Sequence, residues 1–124
     1  MSVQTPLARV EGLGAAHSGT GHFWRLRIGS VALVPLSVWF VCIVLSLIGA
    51  DRSAAIAFLA HPVNAILMAL FVIASLHHMA LGLQVVIEDY VHGEGSKIAL
   101  LMLNHFFAWI VGAVCLFALA RIAL

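Results

Sequence analysis

The sequence predicts an all-α integral membrane protein whose three transmembrane helices form part of a larger heteromeric helix bundle. Of its 124 residues, 64% are apolar and only 9% charged, a balance far from that of soluble domains. The charges collect at a few breaks, and between the breaks lie three apolar stretches long enough to cross a bilayer. Three helices bury little protein surface among themselves, so partner helices are expected.

Residues 1–21 are polar, contain glycine and lack helical periodicity. They read as an N-terminal tail or a partner-facing arm, with His17 solvated, and they lack the basic-then-apolar order of a cleavable signal peptide. Residues 22–124 form the three-span membrane domain. It opens on His22-Phe23-Trp24-Arg25-Leu26-Arg27, where rings sit at headgroup level and arginines stay in water. The first span covers about 28–49, roughly 33 Å of helix at 1.5 Å per residue. Pro35 lies inside it, tolerable in a membrane helix and expected to kink it. Asp51-Arg52-Ser53 makes a polar break, after which Ala54 to Ala60 is too short to cross and reads as an interfacial helical turn. His61-Pro62 then places a proline where a helix tolerates one, in its first turn. The second span covers about 62–87 and the third about 98–120, separated by a polar loop from Glu88 to Lys97 that carries Gly93 and Gly95. Arg9, Arg25, Arg27 and Lys97 fall on one side of this topology, Arg52 and Arg121 on the other. The positive-inside rule therefore puts the N-terminus on the cytoplasmic side, or the matrix side in a mitochondrion.

Several chemistries are absent from the pattern. No serine or cysteine nucleophile constellation, phosphate-binding loop or zinc spacing occurs, and no basic patch argues for nucleic acid. Cys42 and Cys115 lie within apolar segments, away from any ligand spacing, and read as buried small hydrophobes.

What remains is a set of histidines in hydrocarbon, where an imidazole without a partner is costly. His61, His77 and His78 lie in or beside the second span and His105 in the third. His77 and His78 point about 100° apart on a helix, so at most one faces a given partner. Gly82 follows His78 by one turn on the same face, where a missing side chain admits a flat cofactor or another helix. Neutral imidazole is a good haem ligand. From the residues alone His78 is a haem ligand, a packed hydrogen-bonded histidine or a proton relay. For His105, beside Asn104, an interhelical hydrogen bond is the expectation. Asp89 and Tyr90 end the second span: a solvated carboxylate and a belt tyrosine, or a hydroxyl and a carboxylate that serve a quinone at a wet membrane edge. Arg27 is an interfacial anchor, or a guanidinium for an anionic or oxygen-rich group.

Three segments resemble one known family. They are Gly19-Thr20-Gly21-His22-Phe23-Trp24-Arg25-Leu26-Arg27 with Val31-Ala32-Leu33-Val34-Pro35-Leu36, then His61-Pro62-Val63-Asn64, and His78 to Val91 with Gly82, Asp89 and Tyr90 in place. They are similar to the hydrophobic membrane anchor subunit of succinate dehydrogenase (respiratory complex II), the small haem b-binding, cytochrome b556-type anchor, over about residues 19–124. The resemblance implies that His78 is the axial ligand to the iron of a haem b shared with a second anchor subunit. It implies that Tyr90 and Asp89 line the ubiquinone site, and that Arg27 meets a haem propionate or the quinone pocket. FAD and iron–sulfur clusters would reside only in the flavoprotein and iron–sulfur partner subunits, which this chain docks. It would then serve the tricarboxylic acid cycle and electron transport as a non-flavin subunit without stand-alone activity, in a bacterial cytoplasmic or mitochondrial inner membrane. The alternatives are a small ion or proton conductor using His77, His78 and Asp89, and a purely structural membrane subunit.

Overall fold

The computed structural model describes residues 5–11 and 19–124, and within them five helices and no strand. They are α1 (Pro6–Glu11), α2 (Gly19–Ser46), α3 (Arg52–Ala60), α4 (Pro62–Tyr90) and α5 (Glu94–Ala123). Three are long and apolar enough to cross a membrane: α2 over Phe23–Ser46, all of α4 and all of α5. Hydrocarbon offers no partner to a free N–H or C=O, so a crossing chain closes its backbone bonds inside helices.

Each helix runs past its apolar stretch. The first begins at Gly19 rather than near residue 28, the second continues through Glu88, Asp89 and Tyr90, and the third starts at Glu94. A backbone already in helical geometry extends at the cost of one residue per bond, so polar ends join without a new nucleus. The polar loop expected from Glu88 to Lys97 shrinks to Val91-His92-Gly93. In the stretch read as a tail without helical periodicity, Pro6–Glu11 is helical; the expectations for His17 and its neighbours lie outside the described residues. Pro35 sits within α2 without breaking it.

The ends are set by local chemistry. Gly49 takes φ +81°, a left-handed conformation that a residue with a Cβ disfavours, in the turn that follows the end of α2 at Ser46. Asp51 caps α3: one carboxylate oxygen accepts from the Ala54 N–H at 2.9 Å and the other from the Ser53 hydroxyl at 2.9 Å. α3 covers the segment expected to be an interfacial turn and, with that cap, runs to nine residues. His61 is extended (φ −66°, ψ 127°), as the residue before proline prefers, and Pro62 opens α4. The Asn64 amide donates to Phe58 O at 2.9 Å and latches this corner.

The helices form an open layer. α4 lies between α2 and α5, which do not touch each other, and α3 packs on α4 and α5. Only Ile43, Leu81, Ile87 and Asn104 are buried among the described residues. Phe40 and Phe71 stack across α2 and α4 with centroids 4.6 Å apart. Between α4 and α5, Leu76 Cδ1 would stand 3.2 Å from a Cβ on Gly112, so the glycine lets the helices approach closely. Cys42, read as buried, is exposed, and Cys115 is half-buried; α2 has a neighbour on one side only.

Two expectations follow. Gly112→Val overfills the α4–α5 contact and should destabilise the detergent-solubilised chain by about 1–3 kcal/mol, read as thermal unfolding. The hydrogen bonds from Ala54 N–H, then from Ser53, hold the Asp51 carboxyl below its ordinary value. A lowered carboxyl stabilises the fold above its unfolded value and loses that contribution as pH falls through the lower, folded one. Amide exchange at Ala54 in nanodiscs should therefore accelerate relative to its intrinsic rate on acidification below about pH 4, and in Asp51→Asn, which caps without titrating, it should not.

Candidate functional site

Helix α4 carries the histidine doublet at its middle. Two of its contacts with α5 bracket that doublet: Leu76 against Gly112, and the Ala80 carbonyl, which accepts from the Asn104 amide at 2.9 Å. Leu76 and Ala80 lie two residues either side of His78, about 200° around the helix. α5 therefore holds α4 from behind, and His78 faces away from it. Phe71, two turns earlier on the His78 stripe, stacks on Phe40 of α2. Both relations turn His78 toward α2.

There it lines an open groove of about 400 Å³ with Ser30, Leu33, Val34, Ser37 and Val38. These five α2 residues follow the i, i+3, i+4, i+7, i+8 pattern of one helix face. His78 is half-buried, whereas His77, about 100° around, is exposed. Nδ1 of His78 is buried and has no hydrogen-bond partner, so the accessible edge of the ring is the one that carries Nε2. A Cβ at Gly82 would meet nothing within 4 Å among the described residues, which leaves its surface open.

Arg27 lies one turn before Ser30 on the same stripe of α2, at the mouth of the groove. Its guanidinium sits 4.2 Å over the Phe23 ring and carries its charge at the membrane edge. Asp89 and Tyr90 are exposed at the last turn of α4. Asp89 is within about 20° of the His78 stripe and roughly 16 Å further along, while Tyr90 lies about 120° around. His78 and Asp89 thus share one stripe of α4, and Tyr90 lies off it. Lys97 Nζ donates to Glu88 O at 3.0 Å, and the Gln84 amide donates to a Glu88 carboxylate oxygen at 2.8 Å. These bonds occupy a terminal carbonyl that a helix end leaves free.

The third-span histidine needs correction. Among the described residues His105 forms no interhelical bond; its Nδ1 pairs with Leu101 O of its own helix at 2.8 Å, and its neighbour Asn104 makes the interhelical bond. Asn104 is 4% exposed and its Oδ1 has no partner. It lines an apolar groove of about 380 Å³ between α4 and α5. The sequence carried a signal for these residues, since Ser30, Ser37 and Asn104 are polar side chains inside spans, but not for the direction each one faces.

Among the described residues no three histidine, cysteine, aspartate or glutamate side chains converge on one point. A metal held at His78 takes a single ligand from here. An imidazole with its accessible nitrogen on an open apolar groove, and an arginine at the mouth, suits a flat apolar cofactor with an anionic edge. The residues fit a half-site for haem.

Comparison with known proteins accords with this class, a multi-pass membrane subunit that offers a site rather than enclosing one. The family model described as succinate dehydrogenase/fumarate reductase transmembrane subunit matches residues 1–119. The chain is 38% identical over 120 residues to the succinate dehydrogenase hydrophobic membrane anchor subunit of Paracoccus denitrificans, covering 97% of this chain and 92% of that one. It is 38% identical over 85 residues to the subunit of the same name from Rickettsia bellii, covering 68% of each. The succinate dehydrogenase membrane anchor subunit of Reclinomonas americana is 28% identical over 89 residues, covering 69% of this chain and 74% of that one. No solved structure matches. The chain belongs to the family of succinate dehydrogenase/fumarate reductase transmembrane subunits. Within it, this is a membrane anchor subunit of the oxidoreductase complex succinate dehydrogenase.

Proposed function

We propose that this anchor docks the flavoprotein and iron–sulfur subunits, shares a haem b with a second anchor subunit, and contributes to the ubiquinone reduction site. The observation that carries the reading is His78, turned toward an open groove, with its Nδ1 buried and unpaired among the described residues and its other ring edge accessible. An imidazole whose accessible edge opens on hydrocarbon is completed at that edge by something outside the chain. Haem supplies a one-electron carrier when bound, and this chain supplies His78 as one axial ligand. The second ligand comes from the sister anchor, which packs over the α2–α4 face. Arg27, at the mouth, pairs with a propionate or orders the quinone pocket.

Asp89 and Tyr90 serve the quinone. Reduction to quinol takes up two protons, and both groups are exposed at the water edge where protons are available. The tyrosine hydroxyl donates to a quinone carbonyl, and Asp89 orders or relays the proton. Electrons reach this edge from succinate, oxidised at the flavin of one partner, through the iron–sulfur clusters of the other. The arginine and lysine distribution puts this edge and the N-terminus on the cytoplasmic or matrix side of a bacterial cytoplasmic or mitochondrial inner membrane.

The purified complex tests the reading. His78→Ala should abolish the reduced-minus-oxidised b-type signal and His77→Ala should leave it; equal spectra in the two variants would reject His78 as the ligand. Tyr90→Phe should lower quinone reduction about 100-fold, the low end for a lost proton-transfer group, while succinate oxidation by an artificial acceptor stays at the wild-type rate. Equal loss of both activities would mean that Tyr90 acts through assembly.

A further inference from the structure

Of the histidines inside the membrane helices, His105 and His78 behave differently toward the backbone beside them. His105 does what an unconstrained helical histidine can do: its Nδ1 turns back to Leu101 O, one turn earlier, at 2.8 Å. His78 makes no such bond. Its Nδ1 is buried and unpaired among the described residues, in a side chain that lines the groove against α2. A buried ring nitrogen without a partner is costly, and the cost falls if a group across the contact receives it.

The two serines of the groove differ in the same way. The Ser30 hydroxyl donates to Leu26 O at 2.8 Å. The Ser37 hydroxyl, two turns further along the same face and lining the same groove as His78, forms no hydrogen bond with a described residue. Leu33, Val34 and Val38 are apolar, so Ser37 is the one groove residue besides Ser30 with a polar side chain to offer.

We infer that Ser37 is a positioning residue for His78: its oxygen accepts the Nδ1 proton and so holds the tautomer whose Nε2 lone pair faces the groove. This rests on the reading of His78 as the haem ligand. A serine changes χ1 well at little cost, and within a helix its O–H can donate to the carbonyl four residues back, here Leu33 O, as Ser30 does to Leu26 O. That donation leaves a lone pair for Nδ1–H and forbids the opposite arrangement, in which the hydroxyl would donate to Nδ1 and force the proton onto Nε2. A ligating imidazole needs its other nitrogen to be a bonded donor, which fixes the ring and raises its basicity. A more basic ligand favours the ferric state, so Ser37 lowers the haem potential.

The test uses the whole complex with Ser37→Ala, Ser37→Thr and Ser30→Ala. Ser37→Ala should weaken ferric relative to ferrous ligation about tenfold, the low end for a lost second ligand-orienting bond, which is about 59 mV upward for a one-electron couple. Ser37→Thr should restore the wild-type potential and Ser30→Ala should leave it unchanged. A second measurement needs no haem: in haem-free complex, nitrogen-15 shifts of His78 should report an Nδ1–H tautomer in the wild type and a mixture in Ser37→Ala. An unchanged potential, or the same tautomer mixture in both proteins, overturns the role of Ser37. Loss of ligation is separable, because a b-type spectrum that survives His78→Ala overturns the haem reading, whatever Ser37 does to the tautomer.

Discussion

Helices in a bilayer gain nothing from hiding leucine from lipid, since the lipid is as apolar as leucine. Association must then come from close approach, ring stacking and a few polar bonds. This chain has one of each kind in the middle of its layer: Gly112 under Leu76, Phe40 on Phe71, and the Asn104 amide on Ala80 O. Everything else about α4 follows from those three contacts. They fix its rotation between two helices that do not meet, and that rotation decides which histidine is sheltered.

An open layer also explains why so little is buried. Four residues fall in that class among the described ones, and one of them is the polar Asn104. A closed bundle would hide its middle helix on all sides, whereas here both broad faces of α4 stay accessible. The face toward His78 offers an imidazole and two serines, and the other edge offers long apolar side chains such as Trp109 and Phe117. A subunit of a larger complex needs this economy, because its partners complete what the chain leaves open.

Polar groups inside the spans carry most of the specificity. Asn104 fastens α5 to α4 on the side away from His78 and keeps an unpaired oxygen. Lys97 and Gln84 tie the last turn of α4, where Asp89 and Tyr90 stand, to the start of α5 and to the preceding turn. Asp51 and Asn64 do the same work at the opposite ends of the helices.

Composition and hydropathy alone determined that the chain is helical, crosses a membrane three times and carries an interfacial segment before His61-Pro62. Those features follow from backbone polarity in hydrocarbon, which any apolar run of sufficient length must satisfy. The residues His78, Asp89, Tyr90 and Arg27 were also legible as candidates, because a polar side chain at such a depth or edge is conspicuous. Which way they face was not. The spans are apolar nearly all round, so no periodic stripe marks an inner face, and the rotation of each helix is invisible in one dimension. Tertiary contacts decided that His78 rather than His77 enters the groove, that Asn104 rather than His105 bridges two helices, and that Ser37 shares the groove with the imidazole. The reason is geometric: one residue's step turns a helix by about 100°, and only a neighbour can say which step counts.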